Sequence, residues 1–212
     1  VAGCDEAGRG PVAGPVVAAA VVLPKGDAWQ DVGLEDSKTL SEKRREELYD
    51  MLTREGSGVV WGVGVKSKEQ IDAGNIKECA EDAMTVAVSC LDPKPDLVLV
   101  DGMHVPKNMP MKADAIVKGD SRCVCIAAAS IIAKVTRDRM MKEAHDKYPQ
   151  YNFAKHKGYL TLEHWTAIRD NGPCPIHRAS FEPVKGWVGM EGKAPWKLRQ
   201  DERDMFSWKK KA

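Results

Sequence analysis

Four acidic side chains stand where carboxylates could collect in space. Asp5 and Glu6 adjoin at the end of an apolar segment and precede a glycine-rich turn, and Asp101 closes the apolar run 97–100. Asp120 opens a long helical pattern. Each has an ordinary alternative explanation, because Asp–Glu pairs suit solvated turns and an Asp before a helix often caps it. Carboxylates at strand ends of an α/β sheet nevertheless face a crevice that commonly holds a site.

Carboxylates gathered in this way would favour a divalent cation. Unpaired, they repel and raise one another's pKa values, and a bound cation removes that cost. Ligation by oxygen alone, without His or Cys, suits Mg²⁺ or Mn²⁺. Because Mg²⁺ usually combines a few carboxylates with phosphate oxygens of a substrate, the pattern predicts phosphoryl chemistry. In such chemistry two ions about 3.5–4 Å apart can activate water and stabilise the leaving oxygen.

Two further segments could contact phosphates. Gly8, Arg9 and Gly10 directly follow the acid pair; glycines let backbone N–H groups approach a ligand, and Arg9 could hold a phosphate or a sugar hydroxyl. The segment 151–159 interleaves aromatic and basic side chains, a pattern that suits a nucleic-acid groove. Turn glycines and a solvated loop remain the structural alternatives for these segments. His177 is expected at the surface.

The order of strand and helix patterns predicts an α/β protein. Two strand-like runs, 1–4 and 16–23, flank a Gly/Pro-rich turn and should pair, and three more strands are expected at 58–65, 97–101 and 115–117. Apolar residues at helical spacing predict helices over 42–54, 67–91, 121–148 and 161–171. Thr39 and Glu42 have the spacing of a capping box for the first helix.

Composition narrows the class of protein. The chain has 212 residues with a formal net charge of +1, so overall charge does not indicate a nucleic-acid partner. Its apolar runs are shorter than the roughly 18–20 residues of a membrane span, and its start lacks a secretion-signal pattern. The 6 cysteines show no common zinc spacing and are expected to be reduced and buried. We therefore expect a cytoplasmic, monomeric protein without membrane contact.

Seven short blocks stand out between Gly3 and about Gly186: residues 5–11 (DEAGRGP), 36–40 (DSKTL), 100–102 (VDG), 118–121 (KGDS), 127–139 (AAASIIAKVTRDR), 156–159 (HKGY) and 178–181 (RASF). In this order they resemble one family, the type 2 ribonucleases H, and within it the bacterial-like ribonuclease HII branch. Arg9, rather than Lys, between the glycines disfavours the ribonuclease HIII branch.

The resemblance implies a ribonuclease-H-like fold, a mixed central β-sheet flanked by helices. It implies that Asp5, Glu6, Asp101 and Asp120 bind the catalytic Mg²⁺ or Mn²⁺ ions. Gly8, Arg9 and Gly10 would grip the ribonucleotide and its 2′-OH, the group that distinguishes RNA from DNA. Tyr159 would pack against the sugar of the next deoxynucleotide. Expected phosphate contacts are the side chains of Lys38, Ser130, Lys134 and Lys157. Asp138 is read as structural.

The predicted organisation is a catalytic domain over 1–186 and a helical or loosely docked C-terminal extension over 187–212. The expected activity is cleavage of RNA–DNA hybrids, or of DNA containing single ribonucleotides, on the 5′ side of a ribonucleotide, leaving 3′-OH and 5′-phosphate ends. Three alternatives stay open: another metal nuclease of the same fold such as a DNA-junction resolvase, a non-catalytic nucleic-acid-binding module, and an enzyme acting on small phosphate esters.

Overall fold

The computed structural model describes residues 1–26, 29 and 32–187. They form two compact units, each treated by itself: a sheet unit, Val1–Arg9 with Pro15–Met140, and a helical unit, Gly10–Gly14 with the chain from Met141 onward. The domain predicted over 1–186 thus contains two units. Apart from Trp187, the predicted C-terminal extension lies outside the described residues. No helix in the described part is both long and apolar enough to cross a membrane.

The sheet unit is built on five strands in the order β3-β2-β1-β4-β5. The strands are β1 (Ala2–Ala7), β2 (Val16–Val22), β3 (Val60–Lys66), β4 (Val98–Asp101) and β5 (Ala113–Ile116). β1, β2 and β3 pair antiparallel, whereas β4 pairs parallel with both β1 and β5. The sheet is therefore mixed, as predicted. Because β1 and β4 are parallel neighbours, Asp5 and Asp101 leave the sheet at the same edge.

The helices are α1 (Glu42–Thr53), α2 (Lys68–Ala73), α3 (Ile76–Ser89), α4 (Val124–Lys147), α5 (Phe153–His156) and α6 (Leu162–Asn171). α3 covers one sheet face, where Ala83, Met84 and Ala87 pack against β1, β2 and β4. α1 and α4 cover the other face through Leu48, Leu52 and the Ala/Ile run 128–133. Fully burying one such Leu contributes roughly 1.5–3 kcal/mol, so these faces hold both layers on the sheet.

Two helix predictions differ from the structure in part, one in its continuity and one in its capping residue. The helix predicted over 67–91 is two helices, because the chain breaks at Gly74 and the Asn75 side chain caps α3 by accepting from the Glu78 N–H at 2.9 Å. The cap of α1 is Ser41, which accepts from the Arg44 N–H at 3.2 Å. Thr39 instead donates its hydroxyl to the Asp36 carbonyl.

The helical unit closes around the segment 10–14. The Val12 N–H donates to the Gly158 carbonyl at 3.0 Å, and the Val12 carbonyl accepts from the Arg178 N–H at 2.8 Å. Arg178 is fully buried, and its Nε donates to the Gly14 carbonyl at 2.9 Å. Apolar side chains of the unit, among them Phe153 and Trp165, form its core.

Candidate active site

Three of the four predicted acids meet in the sheet unit. Asp5 comes from the end of β1, Asp101 from the end of β4, and Asp120 from the short 3₁₀ turn Gly119–Ser121 that precedes α4. One carboxylate oxygen from each lies within 4.8 Å of those of the other two. Asp5 and Asp120 are buried, and Asp101 is partly exposed. Asp120 therefore lies in its own turn, four residues ahead of the long helix that it was alternatively expected to cap.

Gly119 explains how Asp101 and Asp120 are brought together. Its backbone N–H donates to Asp101 Oδ1 at 2.7 Å, which fixes the carboxylate beside the turn that carries Asp120. A Cβ at Gly119 would lie 2.5 Å from Ile126 Cδ1 and 3.4 Å from Asp101 Oδ1, so a side chain there would displace its neighbours. Lys118, just before it, adopts a left-handed conformation with φ 55° and turns the chain toward the acids.

Asp5 is buried beside other acids, and this raises the pKa of its carboxyl group. Burial, followed by the negative charges of Glu6 and Asp101, raises the pKa of Asp5 well above its ordinary value. Two effects oppose that shift: Asp5 Oδ1 accepts a hydrogen bond from the Glu6 N–H at 2.7 Å, and the nearby Ser130 hydroxyl also lowers the pKa of Asp5. A cation among the three acids would stabilise the ionised form and remove the penalty.

Glu6 faces the opposite side of the sheet from Asp5 because successive strand residues alternate. It lies outside the three-acid group, and its carboxylate pairs with Arg9 at 3.3 Å. Burial raises the pKa of Glu6 despite the opposing charge of Arg9. Glu6, Arg9 and Asp101 line a cavity of about 290 Å³ that α3 also borders. Glu6 therefore shares a cavity with Asp101, and its carboxylate forms an ion pair with Arg9.

Lys38 is a predicted phosphate contact that lies beside the acids. Its Nζ lies 3.4 Å from Asp120 Oδ2 and 3.7 Å from Asp36 Oδ1, and its side chain is 75% exposed. Partial burial works to lower the pKa of Lys38, but the carboxylates of Asp36, Asp120 and Asp5 together raise it above its ordinary value. The ammonium group thus stays charged and is exposed enough to contact a phosphate near the acids.

Two other predicted phosphate contacts, both on α4, have protein partners. Ser130 is 4% exposed, and its Oγ lies 2.8 Å from Ser37 Oγ. Lys134 Nζ lies 2.7 Å from Asp138 Oδ1, and burial lowers the pKa of Lys134 despite that ion pair. Asp138 is buried and forms an ion pair with Lys134, in keeping with a structural role.

The glycine–arginine turn spans both units of the chain. Gly8, in the sheet unit, has φ +102°, and a Cβ there would lie 2.2 Å from Arg137 Nε. Arg137 is buried and donates from Nε to the Pro15 carbonyl at 3.0 Å. Gly8 is thus required both for its left-handed backbone and for the close approach of Arg137.

The helical unit holds the remaining predicted residues. Tyr159 is 47% exposed, and its Cε1 would lie 3.6 Å from a Cβ placed on Gly10, so the ring contacts the last glycine of the turn. Lys157 is buried, adopts a left-handed conformation with φ 52°, and donates from Nζ to the Ala154 carbonyl. Exposure makes Tyr159 available to a ligand, whereas the Lys157 ammonium has a protein acceptor.

The structure adds a buried histidine network that the sequence did not predict. His177 is 2% exposed, so its expected surface position is wrong. His164 Nδ1 lies 2.9 Å from the Tyr159 carbonyl, and its Nε2 lies 2.9 Å from His177 Nε2. The carbonyl can only accept, so His164 donates from Nδ1 and accepts from His177 at Nε2. His177 Nδ1 then accepts from the Cys174 N–H at 2.9 Å.

The three-acid group fits a small divalent cation. Oxygen ligands lie about 2.1 Å from Mg²⁺, so opposite ligands of one ion are about 4.2 Å apart. Adjacent ligands of one ion are about 3.0 Å apart, so the three oxygens, which lie within 4.8 Å of one another, would draw together by side-chain rotation to bind it. Carboxylates without His or Cys are the donors that Mg²⁺ and Mn²⁺ prefer. Asp5, Asp101 and Asp120 are the residues that could hold the ion.

The similarity to solved structures shows the class of protein. Ribonuclease H2 from Pyrococcus horikoshii OT3 matches with a TM-score of 0.74 and 30% sequence identity, covering 87% of this chain and 95% of that one. Bst-RNase HIII in complex with Mn²⁺ matches with a TM-score of 0.67 at 18% identity, over 89% of this chain and 69% of that one, which shows a shared fold. The fold is that of the ribonuclease H nucleases, as predicted.

Sequence relatives define the family. The family model of Ribonuclease HII matches residues 2–184. Ribonuclease HII of Chlamydia muridarum is 52% identical over 185 residues, which cover 87% of this chain and 83% of that protein. Ribonuclease HII of Geobacillus kaustophilus is 53% identical over 185 residues, 87% of this chain and 69% of that protein. The chain belongs to the ribonuclease HII family and is a ribonuclease H nuclease, which confirms the resemblance.

Proposed function

We propose that this nuclease hydrolyses the phosphodiester bond on the 5′ side of a ribonucleotide in RNA–DNA hybrids and at RNA–DNA junctions. The products would carry 3′-OH and 5′-phosphate ends, and the activity would remove ribonucleotides from DNA. The observation that carries the proposal is the meeting of Asp5, Asp101 and Asp120 within 4.8 Å in a chain of the ribonuclease HII family.

Asp5, Asp101 and Asp120 would hold Mg²⁺ or Mn²⁺, and Glu6 would join them from the Asp101 side. When bound, two such ions supply activation of a water molecule and stabilisation of the leaving 3′-oxygen. Glu6 is held by Arg9 at 3.3 Å, so its recruitment would release Arg9 toward the substrate. The residues of the chain would orient the phosphate for attack by water, and no protein nucleophile is required.

The proposed substrate contacts are the glycine–arginine turn, Tyr159 and the lysines. Gly8, Arg9 and Gly10 would grip the ribonucleotide and its 2′-OH, with the exposed Tyr159 ring against the following sugar. Among the lysines, Lys38 is the best placed for a phosphate because it is exposed and 3.4 Å from Asp120. Lys134 and Lys157 would each have to leave a protein acceptor, so we assign them smaller contributions.

The test is the substitution Asp5→Asn, which keeps the shape of the side chain and removes its charge. The substrates are a duplex with one ribonucleotide and its all-DNA counterpart, with Mg²⁺ and Mn²⁺ varied and cut positions mapped. Wild type should cut 5′ to the ribonucleotide and spare the all-DNA duplex. Asp5→Asn should abolish cutting, weaken Mn²⁺ binding in calorimetry, and leave hybrid binding measurable.

The matched control is Asp114→Asn, which changes an exposed acid on β5 of the same sheet. It should retain full cleavage and Mn²⁺ binding. Normal cutting by Asp5→Asn would refute the assignment of Asp5. Equal cutting of the all-DNA duplex would favour a nuclease that ignores the 2′-OH, and binding without cutting at any metal concentration would favour a binding module.

A further inference from the structure

Two buried serines connect the turn 36–38 with the first acid of the site. Ser37 and Ser130 are separated by 93 residues, yet their hydroxyl oxygens lie 2.8 Å apart. They are 3% and 4% exposed, so neither hydroxyl is offered to a ligand at the surface. Ser130 also lies close enough to the Asp5 carboxylate for its hydroxyl to lower the pKa of that group. The two serines and Asp5 therefore lie in a row that ends on an acid of the site.

The packing of α4 on β1 places Ser130 opposite Asp5. At Gly3 the helix backbone comes so close that a Cβ would lie 2.2 Å from the Cys125 carbonyl carbon and 2.3 Å from the Ile126 nitrogen. From Gly3 to Asp5 the strand advances about 6.6 Å, and from Ile126 to Ser130 the helix advances about 6 Å. The two advances match, so the contact at Gly3 sets the contact between Ser130 and Asp5.

The direction of the hydrogen bonds follows from their donors. An ionised carboxylate only accepts, so a hydrogen bond between Ser130 and Asp5 uses the single hydroxyl hydrogen of Ser130. The Ser130 oxygen then accepts from Ser37, whose hydroxyl hydrogen points at Ser130. Ser37 is held in turn, because its carbonyl accepts from Arg45 Nη1 of α1 at 2.9 Å. The order is therefore Ser37 to Ser130 to Asp5, anchored on α1.

We propose that Ser37 and Ser130 are positioning residues, a hydroxyl relay that fixes the Asp5 carboxylate in the orientation that binds the cation. The proposal rests on the proposed function, in which Asp5 is a metal ligand. It replaces the phosphate contact expected of Ser130, because a hydroxyl occupied by Asp5 and Ser37 has no hydrogen left for a phosphate. The next residue, Lys38, contacts Asp120, so one turn reaches two of the three acids.

Loss of a group that orients a metal ligand typically costs 10–100-fold in metal affinity or activity. We expect Ser130→Ala to lower Mn²⁺ affinity by about that factor. Ser37→Ala should have a smaller effect, since Ser130 can still donate. The double variant should bind Mn²⁺ like Ser130→Ala alone, because Ser37 acts only through Ser130, and this non-additivity is the signature of a relay.

The experiment measures Mn²⁺ binding by calorimetry, independently of catalysis, and cleavage of a duplex with one ribonucleotide as Mn²⁺ is varied. The matched control is Thr136→Val, which removes a hydroxyl from the same helix. In the described structure the Thr136 hydroxyl is buried without a hydrogen-bond partner. It should leave Mn²⁺ affinity and the Mn²⁺ dependence of cleavage unchanged.

The outcomes separate the relay from the proposed function. Asp5→Asn that loses Mn²⁺ affinity while Ser130→Ala and Ser37→Ala keep it would overturn the relay alone. Asp5→Asn that keeps Mn²⁺ affinity would overturn the metal assignment. A raised KM for the duplex with unchanged Mn²⁺ binding in Ser130→Ala would restore the phosphate contact and refute the relay. Should Ser130→Ala not fold, wild-type Mn²⁺ affinity in Ser37→Ala would refute it.

Discussion

Acid should weaken the helical unit through His164, the central residue of the buried histidine network. Its ring is fully buried, donates from Nδ1 to the Tyr159 carbonyl and accepts at Nε2 from His177. His156 stacks on it with ring centroids 4.3 Å apart. Burial first, and then His156, lower the pKa of His164 to about 3. A proton on Nε2 would also face the N–H of His177, so the network accepts only the neutral ring.

The sign and size of the effect follow from linkage. Because the folded pKa lies below the unfolded value of about 6.5, the unfolded chain binds the proton more readily between these values. The stabilisation is therefore complete above about pH 6.5 and is lost as the pH falls toward the folded pKa. Between pH 7.5 and pH 5.0 one such group lowers the free energy of unfolding by about 2 kcal/mol. A folded pKa one unit higher would hardly change this figure, since pH 5.0 would still lie above it.

The assay is urea unfolding at pH 7.5 and 5.0 for wild type and for His164→Gln, which removes the titrating ring. The free energy of unfolding of wild type should fall by about 2 kcal/mol more than that of the variant over this interval. The control His104→Gln removes an exposed histidine of the sheet unit and should fall as wild type does. Subtracting variant from wild type cancels the titrating groups that do not interact with His164.

Equal losses in wild type and His164→Gln would refute the reasoning. That result would mean that His164 is protonated in the folded protein at pH 5.0, so the network must rearrange to accept a second proton. A larger loss in the variant would reverse the sign and assign the acid sensitivity to the residues around the ring.

Two substitutions in the sheet unit test the site further. Gly119→Ala should destabilise the fold by about 1–3 kcal/mol in thermal unfolding, because its Cβ would overlap Ile126, and it should weaken Mn²⁺ binding by moving the Asp101 carboxylate. Wild-type stability and Mn²⁺ affinity would contradict this. Lys38→Ala should change two affinities in opposite directions. Binding of the hybrid should weaken, and its logarithmic dependence on salt should lose about one unit of slope. Mn²⁺ should bind more tightly, because the ammonium group 3.4 Å from Asp120 is removed. Unchanged salt dependence in a filter-binding titration would remove Lys38 from the substrate contacts.

The strands could be predicted because the apolar pattern of a strand lies in consecutive residues of the sequence. Apolar runs ending in Asp5 and Asp101 predicted strands, and the structure places those strand ends side by side. The parallel pairing of β1 with β4 could not be derived from periodicity, and the family resemblance predicted only that the sheet is mixed. The break between α2 and α3 was missed because apolar spacing continues across Gly74, although Asn75, a good N-cap residue, was a visible signal.

The site was harder to predict wherever tertiary packing decides a side chain's surroundings. The alternation of a strand already separates Asp5 from Glu6, and the structure puts Glu6 on the α3 side with Arg9. The burial of Ser130, Lys157 and His177 depends on which elements pack over them. The residue type alone does not reveal that packing, so their burial could not be predicted from the sequence. Their roles as phosphate contacts or as structural residues therefore stay predictions until measured.

The charge count of the three-acid group argues for a divalent cation over a network of salt bridges. Asp5, Asp101 and Asp120 bring three negative charges, and within residues 1–26, 29 and 32–187 the cation paired with them is Lys38 alone, which Asp36 shares. The negative charge of the acids therefore exceeds the positive charge of this shared lysine, and divalent Mg²⁺ or Mn²⁺ would neutralise the excess. A purely structural cluster would be expected to bury a second Lys or Arg there, since uncompensated buried charge is costly. α4 instead contributes the neutral hydroxyl of Ser130, which orients a carboxylate without neutralising it and so preserves its affinity for a metal ion.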